Sequence, residues 1–393
     1  MGKKINIIKI RDVIISFGFV LLIIFPAVQS VYPVIPEVKN TENRKLADKP
    51  VFDINMLDPF PSRYEKYFND HFSLRNQFIK LKSKLVKNAL QNSPMPDKVI
   101  FGKEGWLFLV EDELAEYRGT NIMKQRDVEK IVKEFSRRKE YLNKRNTKLY
   151  IVVAPIKYSV YPEFLPSYVD KINSKTRTDL IVKELNENGM NVLDLRPVLL
   201  KEKSNGLLYY KTDNHWNNLG AFYAYRAIIS RIKSDFPAIP VLSLQDFNIK
   251  IDTTAGKNLA EMLNMIDDYT DTEYVFKQKF PSKAKKVKKV GYPVPESFPY
   301  KWDFEHEFET GNHKLPNLLF IHDSFGKVVM PYVNQSFNRS VFIFDSWNYR
   351  SDENIVENEK PDVVVYLILE SMWHGVLEGV DMSPAGSSGK RKE

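Results

Sequence analysis

Short, largely apolar stretches alternate with helical stretches from residue 149 onward. The apolar stretches lie at residues 149–154, 190–195, 317–322, 341–344 and 363–369. Between them, apolar residues recur at helical spacing, as they do around Ile181 and again from Asn218 to Ile232. A strand that is apolar on both faces has to be covered on both faces, which is typical of a mainly parallel sheet between two layers of helices. The sequence therefore predicts an α/β fold of this kind.

The amino terminus carries a segment that is long enough to cross a membrane. Four basic residues precede residues 13–36, which contain no charged side chain. A membrane-spanning helix needs about 20 apolar residues, and its basic flank stays on the cytoplasmic side. Residues 1–12 are therefore predicted to be a cytoplasmic tail, and residues 13–36 a single-pass anchor in the cell membrane. The alternative is a cleaved signal peptide, because Val28-Gln29-Ser30 offers small residues at a plausible cleavage site.

Either interpretation places the rest of the chain outside the cytoplasm. Residues 37–57 are charged and without periodicity, which indicates a stalk. Residues 58–370 are predicted to form one folded domain with an irregular basic insertion at about 240–315, and residues 371–393 a disordered tail. The chain contains no cysteine, which excludes disulfides, thiolate catalysis and Cys-ligated zinc.

Three side chains on two segments have the chemistry of a nucleophilic enzyme. Asp213 and His215 lie two positions apart, so an extended loop would point both side chains the same way. Ser324 follows a predicted buried strand, at the carboxyl end where active residues of parallel sheets gather. A nucleophilic serine needs a histidine base that an acid orients. The predicted roles are therefore nucleophile for Ser324, base for His215 and orienting acid for Asp213, with an oxyanion held by the backbone N–H of Ser324 or of the following residues.

Each of these residues also has a simpler interpretation. Asp323 and Ser324 together are common at the start of an ordinary helix, and His215 could be a buried structural histidine. His322 lies two residues before Ser324 and is an alternative base. Lys157 also follows a strand end, where it could bind an anionic sugar, fix a neighbouring loop or be solvated. The histidines show no paired ligand spacing, so neither a metal nor another cofactor is predicted.

The formal net charge is +8, and seven lysines are crowded into residues 277–289. Such a run is usually a solvated loop. On an exported protein its partners would be anionic lipid or an acidic wall polymer. No groove-reading motif accompanies the charges, so nucleic acid is not an expected partner.

Several motifs together resemble the DHHW-protein family and the related SGNH-hydrolase-like domain of alginate O-acetylation proteins. The resemblance covers roughly residues 55–370 and is carried by Gly105-Trp106-Leu107-Phe108, Pro155-Ile156-Lys157, Thr212-Asp213-Asn214-His215-Trp216, Asp323-Ser324-Phe325 and Pro361-Asp362-Val363-Val364-Val365. It implies an SGNH-like fold in which Asp213 and His215 precede the nucleophile Ser324. It also implies a membrane-bound O-acyltransferase partner that delivers acetyl groups across the membrane.

Two positions depart from the family pattern. Asn214 stands where the second residue of the motif is commonly histidine, and His322 stands where a glycine usually precedes Asp-Ser. Asn214 is expected to point away from Asp213 and His215, whereas His322 could narrow the site. We therefore expect a membrane-anchored extracytoplasmic O-acetyltransferase or esterase that acts on a cell-surface polysaccharide through an acyl-serine. The alternative is a non-catalytic glycan-binding or scaffold protein on the same fold.

Overall fold

The computed structural model describes residues 7–36, 46–54, 57–85, 93, 95–295, 298, 300–345, 348–350 and 352–382. Contacts between residues divide the chain into two compact units. The first unit comprises residues 1–94 with 260–266, and the second comprises residues 95–259 with 267–393. Residues 58–94, which we assigned to the folded domain, thus fall in the first unit.

The helices and strands are numbered in chain order. The α-helices are α1 (Ile7–Val31), α2 (Pro59–His71), α3 (Arg75–Leu85), α4 (Glu111–Arg118), α5 (Gln125–Asn143), α6 (Lys157–Val160), α7 (Arg177–Glu187), α8 (Arg196–Glu202), α9 (Asn218–Lys233), α10 (Asn258–Met262), α11 (Gly326–Val333), α12 (Glu353–Glu359) and α13 (Trp373–Met382). The strands are β1 (Val99–Phe101), β2 (Leu107–Leu109), β3 (Lys148–Ala154), β4 (Val192–Asp194), β5 (Phe247–Ala255), β6 (Thr270–Gln278), β7 (Lys285–Lys286), β8 (Glu305–Glu309), β9 (Leu318–His322), β10 (Arg339–Phe344) and β11 (Val363–Leu369).

The first unit contains α1, α2 and α3. Within α1, residues Arg11–Val31 are long and apolar enough to cross a membrane, and most of their side chains are exposed in the structure. Most of the predicted stalk, residues 37–45 and 55–56, lies outside the described residues, and residues 46–54 form neither helix nor strand.

The second unit is built on a seven-stranded sheet with the order β4-β3-β11-β9-β10-β8-β7. The five strands from β4 to β10 are parallel, and β8 and β7 are added antiparallel at one edge. The mainly parallel α/β sheet predicted from the sequence is therefore confirmed.

Alternate residues of the central strands face two separate apolar layers. Phe320 of β9 belongs to the apolar layer that also contains side chains of α8, α9 and α11, whereas Ile321 belongs to the layer that contains side chains of α5, α7 and α13. Successive side chains of a strand point to opposite faces of a sheet, so continuous apolar strands need helices on both sides. The predicted cover of helices on both faces is confirmed.

Two predictions about the organisation of this unit are wrong. The basic insertion is not irregular, because β5 and β6 are nine-residue strands that pair antiparallel, and β7 and β8 extend the main sheet. Polar residues alternate along these strands, which weakens the apolar signal by which buried strands are recognised. The tail is not disordered from residue 371, since Trp373 and Val376 of α13 are fully buried. Residues 383–393 lie outside the described part of the chain.

Candidate active site

Ser324 lies in the turn between β9 and α11, at the carboxyl edge of the sheet. The buried carboxylate of Asp323 fixes this turn by accepting hydrogen bonds from Phe325 N at 2.8 Å, Leu369 N at 2.8 Å and the Tyr349 hydroxyl at 2.8 Å. Burial raises the pKa of Asp323 to about 6, although these hydrogen bonds oppose the shift. Asp323 is therefore the structural residue of the Asp-Ser pair, and the Ser324 side chain remains available.

The structure brings the three predicted side chains into one chain of hydrogen bonds. His215 Nε2 lies 2.7 Å from Ser324 Oγ, and His215 Nδ1 lies 2.7 Å from Asp213 Oδ1. The side chains of His215 and Asp213 are 24% and 15% exposed, so the pair is largely shielded but reachable. With Nδ1 protonated towards Asp213, Nε2 is free to accept the Ser324 proton.

The charges of this pair favour its ionised form. Burial lowers the pKa of His215, but the hydrogen bond and charge of Asp213 outweigh burial and raise it. Burial likewise raises the pKa of Asp213, and the hydrogen bond and charge of His215 outweigh it and lower the pKa. This arrangement stabilises an imidazolium beside a carboxylate, the state that forms when His215 takes a proton.

Asp271 of β6 holds the loop that carries Asp213 and His215. Its carboxylate accepts hydrogen bonds from Lys211 N at 2.7 Å, Thr212 N at 2.8 Å and Thr212 Oγ1 at 2.6 Å. At the far end of the loop, Trp216 Nε1 donates to Phe325 O at 3.1 Å, which ties this loop to the Ser324 turn. Sequence reasoning missed Asp271, because it lies in the segment that was predicted to be irregular.

Lys157 supports the same loop from inside. Its side chain has no exposed surface, and Nζ donates to the carbonyl oxygens of Tyr210 at 3.2 Å, Lys211 at 3.0 Å and Asp213 at 2.5 Å. Burial lowers its pKa to about 8, against the opposing charges of Asp213 and Glu113. All three ammonium protons are used by backbone acceptors, so contact with a sugar is not possible in this structure. The loop-fixing alternative replaces the substrate-binding prediction.

Glu113 is a second buried group that sequence reasoning missed. It lies on α4, is 2% exposed, and accepts a hydrogen bond from Asn214 Nδ2 at 3.1 Å. Asn214 thus points away from His215, towards α4. Neither Glu113 Oε2 nor Asn214 Oδ1 has a hydrogen-bond partner among the described residues. Burial raises the pKa of Glu113 to about 8, although Asn214, Lys157 and His215 oppose this.

Replacing Glu113 by Gln is expected to stabilise the protein at alkaline pH. The folded-state pKa of Glu113 is raised, so its contribution to stability is complete below the unfolded value near 4.5 and is lost as pH rises through about 8. Gln keeps the shape and cannot ionise. We expect nearly equal stability at pH 4, a difference that grows as pH rises from 4.5 to about 8, and a variant that is more stable by about 1 kcal/mol or more at pH 9. Parallel profiles of melting temperature against pH would contradict this.

The structure places His215, and not His322, against Ser324. The His322 ring is fully buried and stacks on Phe344 with ring centroids 5.6 Å apart, and its Nδ1 lies 2.6 Å from Asp323 O. Burial lowers its pKa to about 4. The ring occupies the space beside Gly326, where a Cβ atom would lie 2.4 Å from His322 Cγ. Gly326 is therefore needed to make room for His322.

Of the backbone N–H groups in this turn that were predicted to hold an oxyanion, one has no hydrogen-bond acceptor among the described residues. Phe325 N donates to the Asp323 carboxylate and Gly326 N donates to Asp323 O at 3.1 Å, so both are occupied. Ser324 N makes no hydrogen bond to any residue that the structure describes. It is the N–H that remains available to an oxyanion forming beside Ser324 Oγ.

Comparison with known proteins supports the resemblance that the motifs indicated. Residues 99–289 match the family model described as SGNH hydrolase-like domain, acetyltransferase AlgX. The probable alginate O-acetylase AlgJ of Pseudomonas aeruginosa is 27% identical over 175 residues, which are 44% of this chain and 42% of that protein. The matched region thus spans less than half of the curated relative. The resemblance to the SGNH-like domain of alginate O-acetylation proteins is confirmed.

Two solved structures resemble this chain, and one of them shows that the fold is shared. Bacillus cereus PatB1, solved with a sulfonyl adduct, aligns over 70% of this chain and 94% of its own, with 16% identity and a TM-score of 0.51. A DHHW family protein from Eubacterium siraeum aligns over 72% of this chain and 98% of its own, with 18% identity and a TM-score of 0.47. The likeness to PatB1 shows a shared fold, and the family model that matches residues 99–289 describes it as SGNH hydrolase-like.

Proposed function

We propose that the protein is an extracytoplasmic O-acetyltransferase that acts on a cell-surface polysaccharide through an acetyl-Ser324 intermediate. The observation that carries this proposal is the chain of two 2.7 Å contacts from Ser324 through His215 to Asp213 at the carboxyl edge of the sheet. The match to a family model described as an acetyltransferase supports the acyl group and the reaction class.

The first half of the reaction acylates the serine. His215 Nε2 takes the proton of Ser324 Oγ while Oγ attacks the carbonyl carbon of the acetyl donor, and the oxyanion that forms is held by Ser324 N–H. Asp213 keeps the imidazole oriented and stabilises its charge. The tetrahedral intermediate then collapses, the bond to the donor's leaving group breaks, and His215 returns the proton to that group. The product is an acetyl ester on Ser324.

The second half transfers the acetyl group to an acceptor. His215 takes a proton from an acceptor hydroxyl, whose oxygen attacks the acetyl-Ser324 carbonyl, and then returns the proton to Ser324 Oγ as the ester bond breaks. A sugar hydroxyl gives a transferase and water gives an esterase. The probable alginate O-acetylase AlgJ is named for acetylation of a polysaccharide, which supports a sugar acceptor. A membrane-bound O-acyltransferase is the proposed supplier of acetyl groups.

The acyl-serine is tested by mass spectrometry of the full-length protein in detergent after exposure to an activated acetyl ester. We expect an added acetyl group on the peptide that contains Ser324, and none on that peptide in a Ser324→Ala variant. The adduct should discharge faster when an oligosaccharide acceptor is added if transfer dominates over hydrolysis. A wild-type protein that forms no adduct on Ser324 with any activated donor would argue for the scaffold alternative.

The proposed location is the cell membrane, with the second unit outside the cytoplasm. The apolar segment Arg11–Val31 of α1 supports an anchor. We expect the mature protein to keep its first residues and to require detergent for extraction from membranes. Sequencing of the native amino terminus distinguishes the two possibilities, since a mature chain beginning at Val31 would indicate a cleaved signal peptide.

A further inference from the structure

The lysine-rich segment runs along β7, the outermost strand of the sheet, towards the carboxyl end of the sheet, where Ser324 lies. Strand β7 pairs antiparallel with β8, so that Lys285 lies opposite Glu309, and Val287 N donates to Glu307 O at 3.1 Å. The start of β8 at Glu305 is paired with Ile343, near the carboxyl end of β10. Because β10 is parallel to β9, residues 287–291 approach the same edge of the sheet as the Ser324 turn.

The acidic side chains beside this run are already occupied. Glu305 is buried and its carboxylate accepts hydrogen bonds from Gly291 N at 3.1 Å and Tyr292 N at 2.9 Å. Glu307 is also buried, accepts from Val290 N at 2.7 Å and forms an ion pair with Arg339. Lys285, Lys286 and Lys288 are exposed. Their charges therefore face solvent beside the buried Glu305 and Glu307, and the half-exposed Glu309 opposite Lys285 forms an ion pair with Arg339.

An exposed tryptophan connects the lysines to the candidate active site. Trp302 is 73% exposed, and its carbonyl oxygen accepts a hydrogen bond from Lys289 Nζ at 3.1 Å. The next residue, Asp303, forms an ion pair with Lys327, whose backbone N lies 3.3 Å from Ser324 O. A large aromatic side chain that is exposed to solvent near an active site is typical of a ligand-binding surface.

We propose that one surface, here called the basic edge, binds an anionic polysaccharide and positions it so that it reaches Ser324. The basic edge consists of Lys285, Lys286, Lys288, Lys289 and Trp302. The role of this polysaccharide as the acceptor of the acetyl group rests on the proposed function. The lysines match a polyanion in charge, and the indole offers a flat face for the C–H side of a sugar ring. Strands β9 and β7 are three strand spacings apart, about 14 Å, so a chain of several sugars spans the distance and a single sugar does not.

The test measures binding of the full-length protein in detergent to a labelled polyuronate, with dextran of equal length as the neutral probe and phosphatidylglycerol vesicles as the lipid probe. We expect polyuronate binding that weakens steeply with salt, and no dextran binding. Changing the four lysines to Gln should weaken polyuronate binding by about tenfold or more and flatten its salt dependence. Trp302→Ala should weaken binding by about threefold to tenfold.

A matched control removes the same charge from exposed positions elsewhere on the second unit, by Lys→Gln changes at Lys124, Lys133, Lys175 and Lys201. This variant should bind polyuronate like the wild type. An equal loss in the control, or binding of vesicles without binding of polyuronate, would overturn the proposal, the latter in favour of a lipid surface.

Acylation of Ser324 by a small acetyl ester separates this proposal from the proposed function. The ester does not need the basic edge, so all of these variants should be acylated like the wild type. If polyuronate binds at the basic edge but Ser324 is never acylated, the proposed function fails and the binding surface stands. If Ser324 is acylated but the basic-edge variants bind polyuronate normally, the surface fails and the proposed function stands.

Discussion

Replacing His215 by Ala is expected to lower the rate of Ser324 acylation by about 10⁴-fold or more. His215 Nε2 is the group in hydrogen-bond contact with Ser324 Oγ, and without it the hydroxyl proton has no acceptor during attack. The loss should be in turnover rather than in binding of the acetyl donor. Burst kinetics with an activated acetyl ester measure the acylation step directly, and circular dichroism shows whether the variant is folded.

The matched control is His322→Phe, which keeps a ring of similar shape against Phe344 and beside Gly326. This variant loses the bond to Asp323 O, but it should acylate Ser324 within about tenfold of the wild-type rate, because His322 does not contact the reacting atoms. A folded His322→Phe protein without activity, together with an active His215→Ala protein, would reverse the assignment of the base.

Replacing Asp213 by Asn is expected to cut the rate by about 10³- to 10⁴-fold and to move its acidic limb to lower pH. The rate falls when His215 is protonated, that is, as pH drops through its pKa. The hydrogen bond and charge of Asp213 raise that pKa against the effect of burial, so removing the charge lowers it. The rate itself falls because an amide no longer fixes the tautomer with Nδ1 protonated.

The measurement is the acylation rate as a function of pH for the wild type and the Asp213→Asn variant. In the wild type, Asp213 Oδ1 accepts a hydrogen bond from the His215 backbone N–H at 3.1 Å. The amide oxygen of the substituted side chain can accept the same bond, so the local loop is preserved. An unchanged acidic limb and a near-normal rate would remove Asp213 from the mechanism.

The sequence predicts the parts of this protein that are encoded locally. The central strands are continuous apolar runs, and the helices between them indicate that the strands run parallel. Asp213, His215 and Ser324 stand in short motifs, so their chemistry could be inferred without knowing their distances. The local signal also explains the error at the carboxyl end, where the Gly- and Ser-rich composition concealed the buried face of α13.

The supports of the site could not be predicted, because each depends on contacts between distant segments. Glu113 lies 101 residues before the Asn214 that it contacts, and Asp271 lies 59 residues after Thr212. Lys157 was placed correctly at a strand end, but the direction of its side chain depends on where the 210–213 backbone passes. No periodicity or motif in the sequence encodes such contacts between distant segments.

The packing of His322 against Gly326 also has a consequence for how this turn can change through evolution. A Cβ atom at position 326 collides with the His322 ring, so a larger residue there is excluded while the histidine remains. If residue 322 first becomes glycine, the Cβ, Cγ and Nδ1 atoms of His322, which lie within 2.5 Å of such a Cβ atom, are all removed. The two positions are therefore epistatic, because a route that first changes residue 322 to glycine avoids this collision and the reverse order meets it.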